Sequence, residues 1–177
     1  MNKKLRLVVT EKCHNKCPMC CNNRFDLKAI PVVDRFDYDE ISITGGEPML
    51  YPDKVADIAD TLRKAAKIVG ANPKIWLYTS KLNPMTFRMI AKYIDGVCYT
   101  PHNAVEVAMF KAVNRMLLRS EVGVGKEGFS LRLNLFKEQA QALKKENLSL
   151  WKVKNMVWIK DCPIPEGEDF RRISNLL

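Results

Sequence analysis

The sequence predicts an α/β fold carried by a parallel sheet, and three observations support this. Six short β-rich runs alternate with helical patterns almost to the end of the chain, and such alternation implies βαβ units. A glycine turn stands between a strand and a helix, at Thr44-Gly45-Gly46-Glu47-Pro48. The 177 residues hold no internal repeat, low-complexity tract or linker. They read as one domain, with a core over about residues 5–160 and a tail over 161–177.

Leu5–Thr10 is the first predicted strand and leads into a cysteine-rich loop; Glu40–Thr44 is the second and ends at the glycines. Pro52–Val69 reads as a helix. Pro52 suits its first turn, Val55, Ile58, Ala59, Leu62, Ala66 and Val69 share a face, and Gly70 closes it. Lys74–Thr79 is a third strand. Asn83-Pro84 caps and starts a helix reaching Ile94, before a fourth strand at Val97–Thr100. Asn103 caps the next helix, in which Val105, Ala108, Met109, Ala112, Val113 and Met116 recur at helical spacing. Gly123, Gly125 and Gly128 mark a loop before a fifth strand at Leu131–Phe136. A helix over Lys137–Asn147 and a sixth strand at Val153–Ile159 follow. The pattern alone leaves open whether the sheet is flat or curved into part of a barrel.

Charged residues at 28% and hydrophobic ones at 47% are ordinary for a globular protein. No apolar run approaches the roughly 18 residues of a membrane span. No apolar stretch follows Lys3-Lys4 as a signal peptide would require, so a cytoplasmic location is expected. A net charge of +9 suits either an anionic partner or a solvated basic surface. The basic residues come only in pairs, such as Lys144-Lys145 and Arg171-Arg172, so a nucleic-acid arm is not expected.

Six cysteines in such a chain point to metal or redox chemistry in a reducing compartment. Three of them, Cys13, Cys17 and Cys20, stand in C-x3-C-x2-C spacing. Three thiolates within one loop can hold an iron–sulfur cubane and leave its fourth iron open. Zinc is a rival, although a structural zinc site needs a fourth ligand. The local candidates, His14 and Cys21, each directly follow a cysteine and are poorly placed to converge with it. Cys17-Pro18-Met19-Cys20 taken alone also looks like a dithiol redox pair, a reading that leaves Cys13 and the glycine turn unexplained.

Together the cysteine loop and Gly45-Gly46-Glu47-Pro48 resemble the radical S-adenosylmethionine (radical SAM) family, as a compact single-domain member. The resemblance covers about residues 5–159, with its strong motifs in the first 48. It implies a partial (β/α)6 barrel of parallel strands, trimmed of some helices, since none separates Cys21 from Glu40 and only a short tail follows Pro165. It implies Cys13, Cys17 and Cys20 as ligands of a [4Fe-4S] cluster, and S-adenosylmethionine as cofactor held by Gly45, Gly46 and Glu47. The family's usual aromatic before the third cysteine is here Met19, whose thioether can also lie against an adenine. Further contacts are expected from Thr79 and Ser80 after strand three, Thr100 after strand four and Asn134 on strand five. His102 is a weak candidate for substrate binding or acid–base work, a lone loop histidine being more often solvated. Arg132 on strand five and Lys160 at the end of strand six are further strand-end candidates, although an Arg on a strand can instead ion-pair inside a barrel as a structural residue. Trp158 can stack on an adenine, but an aromatic on a strand is more often core. Cys21, Cys98 and Cys162 have no assigned role; an auxiliary cluster built from them is a minor alternative.

The implied chemistry is reductive cleavage of S-adenosylmethionine to a 5′-deoxyadenosyl radical that abstracts hydrogen from a substrate, probing no further than its class: small and anionic or nucleotide-like. An electron donor such as flavodoxin or ferredoxin is implied with it. Two other readings stay open. One is a glycyl-radical activase acting on a protein partner, supported by similarity at Ile43–Pro48 and Ile75–Thr79. The other is a non-catalytic iron–sulfur or zinc binding module.

Overall fold

The computed structural model describes residues 3–119, 127–159 and 166–177, and at Cys21 the backbone alone. Gly123, Gly125, Lys160, Cys162 and the side chain of Cys21, all singled out in the sequence, lie outside the described residues. The chain forms β1 (Lys4–Thr10), β2 (Glu40–Gly45), α1 (Pro52–Ile68), β3 (Lys74–Thr79), α2 (Pro84–Ile90), β4 (Gly96–Tyr99), α3 (Ala104–Arg119), β5 (Ser130–Leu135), α4 (Lys137–Leu143), β6 (Lys152–Asn155) and β7 (Glu168–Arg172). All seven strands lie in one sheet of order β6-β5-β4-β3-β2-β1-β7, and every pair is parallel. The α/β parallel fold expected from the sequence is therefore present. From β1 to β6 each strand lies beside the one before it, with no reversal of order. With right-handed crossovers, that order stacks the connecting helices on one face, the winding that a partial barrel uses.

The burial pattern agrees. Leu5, Leu7, Ile41, Ile43, Ile75, Leu77, Val97, Tyr99, Leu131 and Leu133 form one core with Val55, Ala59 and Leu62 of α1, Phe87 of α2 and Phe110 of α3. Alternate strand residues face the other way and are largely polar, among them Arg6, Ser42, Arg132 and Asn134, as the two-residue period of a strand requires. One small cluster on that inner face joins Val8 to Leu27 and Ile30, with Phe25 and Phe170 in edge contact at 5.4 Å. The segment between β1 and β2, which contains no α-helix, thus covers part of the inner face.

Local chemistry explains where the helices begin and end. In α1, Pro52 opens the first turn, Asp53 and Lys67 complement the helix dipole, and Gly70 at φ +75° ends it. Ala71 N–H donates to Ala66 O and Gly70 N–H to Lys67 O, a Schellman closure. Asn83 caps α2 by accepting from Met85 and Thr86 N–H, while Thr86 Oγ1 accepts from Asn83 N–H. This helix stops at Ile90 rather than Ile94. There Arg63 of α1 binds the Tyr93 carbonyl at 3.2 Å and the Asp95 carboxylate at 2.5 Å, and the chain turns into β4. α4 likewise ends at Leu143, short of Asn147.

Two strands differ from expectation. β6 ends at Asn155 instead of Ile159; Val157 and Ile159 beyond it are exposed and have no core to cover. The tail supplies β7, whose Glu-Asp-Phe-Arg-Arg sequence carries no strand-like pattern. It is held by the free edge of β1 and by two side-chain pairs, Arg6 with Glu168 at 2.9 Å and Tyr38 with Asp169 at 2.8 Å. Among the described residues, no helix is long and apolar enough to cross a membrane.

At Gly96 an added β-carbon would overlap the six-membered ring of Trp76, which lies across β4 at that point. Gly96→Ala should lower stability by about 1–3 kcal/mol, the usual cost of overpacking. The check is the urea midpoint, which should fall at unchanged slope; a midpoint equal to wild type contradicts this packing.

Candidate functional site

Parallel α/β sheets bind ligands at the carboxyl ends of their strands, and at that edge lies a cavity of about 180 Å³. Its walls include Cys13, Cys17 and Cys20 on one loop, Gly46 and Glu47 on the glycine turn, Thr79 and Ser80 after β3, and Thr100 and His102 after β4. Sequence segments far apart in the chain meet here because successive strands place their ends side by side. Gly45 and Asn134 are not among the lining residues; Asn134 adjoins the lining, its Nδ2 donating to Thr100 Oγ1 at 3.2 Å and lying 3.1 Å from Cys98 Sγ. Met19 is 43% exposed and lies away from the cavity lining.

The glycine turn is built for close approach to the cysteine loop. Gly46 N–H donates to Thr10 O and Glu47 N–H to Lys12 O, both at 2.7 Å. A β-carbon on Gly45 would overlap the Thr10 carbonyl, and one on Gly46 the Lys12 carbonyl. Gly45 also has φ +130°, a region that side-chain-bearing residues rarely adopt. The β1–β2 register slips between Val8 and Thr10 at the same level, turning the chain out of the sheet and into the loop.

Glu47 is 2% exposed, and its carboxylate accepts four hydrogen bonds. Oε1 takes Met49 N–H at 2.9 Å and Thr79 O–H at 2.5 Å; Oε2 takes Ser80 N–H at 2.8 Å and Ser80 O–H at 2.9 Å. The side chain therefore fastens the end of β3 to the glycine turn. Burial pushes its carboxyl above the ordinary value despite these donors.

A second buried carboxylate, Glu106, was not singled out in the sequence, although Asn103-x-x-Glu106 is a helix N-terminal signature that could have drawn attention. Asn103 Oδ1 accepts from Glu106 N–H at 3.0 Å. The carboxylate faces back toward the cysteine loop, with Oε1 2.7 Å from His14 Nε2 and 2.6 Å from Asn15 Nδ2. Oε2 accepts from His102 N–H at 2.6 Å. Asn15 also reaches Ser80 Oγ at 3.1 Å and accepts from Asn103 Nδ2 at 3.1 Å. His14 is thus engaged with Glu106, in keeping with its poor placement as a fourth metal ligand.

Burial and the neighbouring cysteines raise Cys17 to about 11, and burial raises Cys13 as well. These thiols stay protonated at neutral pH until a cation compensates the thiolate charge. Among the described residues, no three His, Cys, Asp or Glu side chains gather as the ligands of one ion would.

His102 differs from the solvated histidine expected. It is half-buried, its Nδ1 has no partner, and burial lowers its pKa, so the ring is neutral. It stands 5.7 Å from both Phe136 and Trp158, which stack on each other at 4.1 Å. Trp158 is 38% exposed and is not a core residue, because β6 ends before it. Among the described residues Arg132 makes no ion pair; its guanidinium lies over Trp76 at 3.8 Å. Cys98 is buried on the inner face, where burial pushes its thiol to about 11.

The chain matches no protein-family model and no curated protein.

Two outcomes test this construction. Glu106→Ala strands three donors, of which the buried ones cost about 1–3 kcal/mol each. It should lower the urea midpoint and speed amide exchange at residues 13–17; exchange unchanged there would show that Glu106 does not hold the loop. For Glu47, a folded pKa above the ordinary 4.5 means that ionisation in place opposes folding. Its contribution is full below the unfolded value and is lost as pH rises through the folded one. Wild type should therefore lose stability relative to Glu47→Gln as pH rises above the ordinary carboxyl range. A pH-independent difference contradicts the raised value.

Proposed function

We propose that this protein is a radical SAM enzyme, with the cavity at the carboxyl edge of the sheet as its cofactor site. One observation carries the reading: the C-x3-C-x2-C loop and the Gly-Gly-Glu-Pro turn, separate in sequence, line a single cavity. Cys13, Cys17 and Cys20 would be the ligands of a [4Fe-4S] cluster. Each thiolate of such a cluster binds a different iron. The sulfurs therefore need to stand around a body rather than converge on a point, which suits three thiols lining one wall. The raised pKa values of Cys13 and Cys17 fit a site completed by a cationic centre.

The chemistry that such a cluster supplies when bound is one electron for reductive cleavage of S-adenosylmethionine to methionine and a 5′-deoxyadenosyl radical. The protein's own part is to bind and orient. The glycine turn offers backbone at the cavity wall, and Thr79, Ser80 and Thr100 present polar groups beside it. Glu47 acts mainly as a positioning residue, since protein donors already occupy its carboxylate. His102 lines the cavity, and behind it Phe136 and Trp158 stack on each other, so an aromatic cluster backs that wall. A cytoplasmic setting and a flavodoxin- or ferredoxin-like electron donor belong to this reading.

The test is anaerobic reconstitution with iron and sulfide, reduction, addition of S-adenosylmethionine, and mass-spectrometric assay of 5′-deoxyadenosine. Wild type should form it. Cys17→Ala should stay soluble but lose its cluster iron and the product. Full iron content in Cys17→Ala would refute the ligand set, and a reconstituted wild type that neither binds nor cleaves S-adenosylmethionine would refute the function.

A further inference from the structure

The inner face of the sheet, opposite the helices, carries more cationic chemistry than stability requires. Register places Trp76, Gly96 and Ser130 in one row, Tyr78, Cys98, Arg132 and Lys152 in the next, and Asn134 beside Lys154 in the third. Trp76 and Cys98 are both buried, yet neither belongs to the helix-side core. Arg6, at the far side of the face, is neutralised by Glu168 at 2.9 Å. Among the described residues, no carboxylate pairs with Arg132, Lys152 or Lys154.

Arg132 is positioned by stacking. The Trp76 indole crosses β4 where Gly96 leaves room and meets the guanidinium at 3.8 Å. A stacked guanidinium is held by its face, which leaves its N–H edge available for bidentate recognition of an oxyanion. In the same row as Gly96, the buried Trp76 Nε1 has no hydrogen-bond partner, an unspent donor in an otherwise satisfied interior. Cys98 sits close enough to both Arg132 and Lys154 to feel their charges. Lysines on an exposed edge strand also discourage pairing with other chains, which explains Lys152 and Lys154 but not Arg132 on the interior strand β5. This face is continuous with the cavity above: Tyr78 and Thr100 line the cavity, and Asn134 links Thr100 to Cys98 beneath it.

We propose that Arg132 and Lys154 form an oxyanion subsite on the inner face of the sheet, below the cofactor cavity, and that it seats the carboxylate or phosphate of the substrate. The inference rests on the cavity being the cofactor site, and it deepens that reading by naming which residues anchor the substrate. Seating the anion there holds the rest of a small molecule between the sheet and the cofactor.

The test follows the indole N–H resonance of Trp76, assigned with Trp76→Phe, in the full chain titrated with inorganic phosphate, malonate or chloride. Phosphate or malonate should move it saturably while chloride at equal ionic strength does not. Lys154→Gln, on an exposed edge where folding is safe, should weaken the response about tenfold, and Arg132→Gln at least as much. A response to phosphate alone assigns a phosphorylated substrate; a response to malonate alone assigns a carboxylate. No saturable shift, or equal affinity in Lys154→Gln, overturns the subsite. Deoxyadenosine formation by the wild-type holoenzyme reports separately: cleavage without anion binding removes only the subsite, and anion binding without cleavage removes only the radical reading.

Discussion

The first part of the cysteine loop is held from outside by a buried carboxylate, that of Glu106. Residues 11–20 contain no helix or strand, and within the loop one backbone bond, Cys20 N–H to Cys17 O at 3.3 Å, joins two of the cysteines. Glu106 sits on the first turn of α3 and reaches across to His14 and Asn15 while holding His102 N–H. α3 is in turn fixed by Phe110, Val113 and Leu117 in the helix-side core. A rigid element thereby sets the geometry of an irregular loop, and charge-assisted hydrogen bonds transmit the constraint.

The same edge has a second anchor in Glu47, which locks the end of β3 to the glycine turn, and the turn carries two short contacts to the start of the cysteine loop. Glycine at 45 and 46 is required here by protein backbone rather than by a ligand alone, because side chains would strike the Thr10 and Lys12 carbonyls. The two buried carboxylates have protein partners on every side that the structure describes. The Thr79 and Ser80 hydroxyls are engaged by Glu47, so the thiols, Thr100, Tyr78 and the neutral His102 ring are the less committed groups of the cavity wall.

Much of this was legible in the sequence, and the rest was hidden for physical reasons. Local signals marked the helices, as at Pro52, Gly70 and Asn83, because caps and closures depend on residues a few positions apart. The strands β1 to β5 were legible because one face of each is buried against helices, giving the apolar alternation that a sequence displays. β7 was not, since its pairing is donated by the free edge of β1 and its side chains are polar. In the site, spacing revealed the cysteines and the glycine turn. Glu106 was hidden because its partners lie some ninety positions earlier in the chain, at His14 and Asn15. The partner of Arg132 was not legible: its guanidinium lies on the face of Trp76, a contact that reaches across β4 and depends on the glycine there.

The most direct test of the account is the electron paramagnetic resonance spectrum of the reduced, reconstituted protein, recorded before and after S-adenosylmethionine is added. If Cys13, Cys17 and Cys20 hold a cluster with one open iron, a reduced iron–sulfur signal is expected whose g-values shift when S-adenosylmethionine is added. A cluster signal identical with and without S-adenosylmethionine would contradict it.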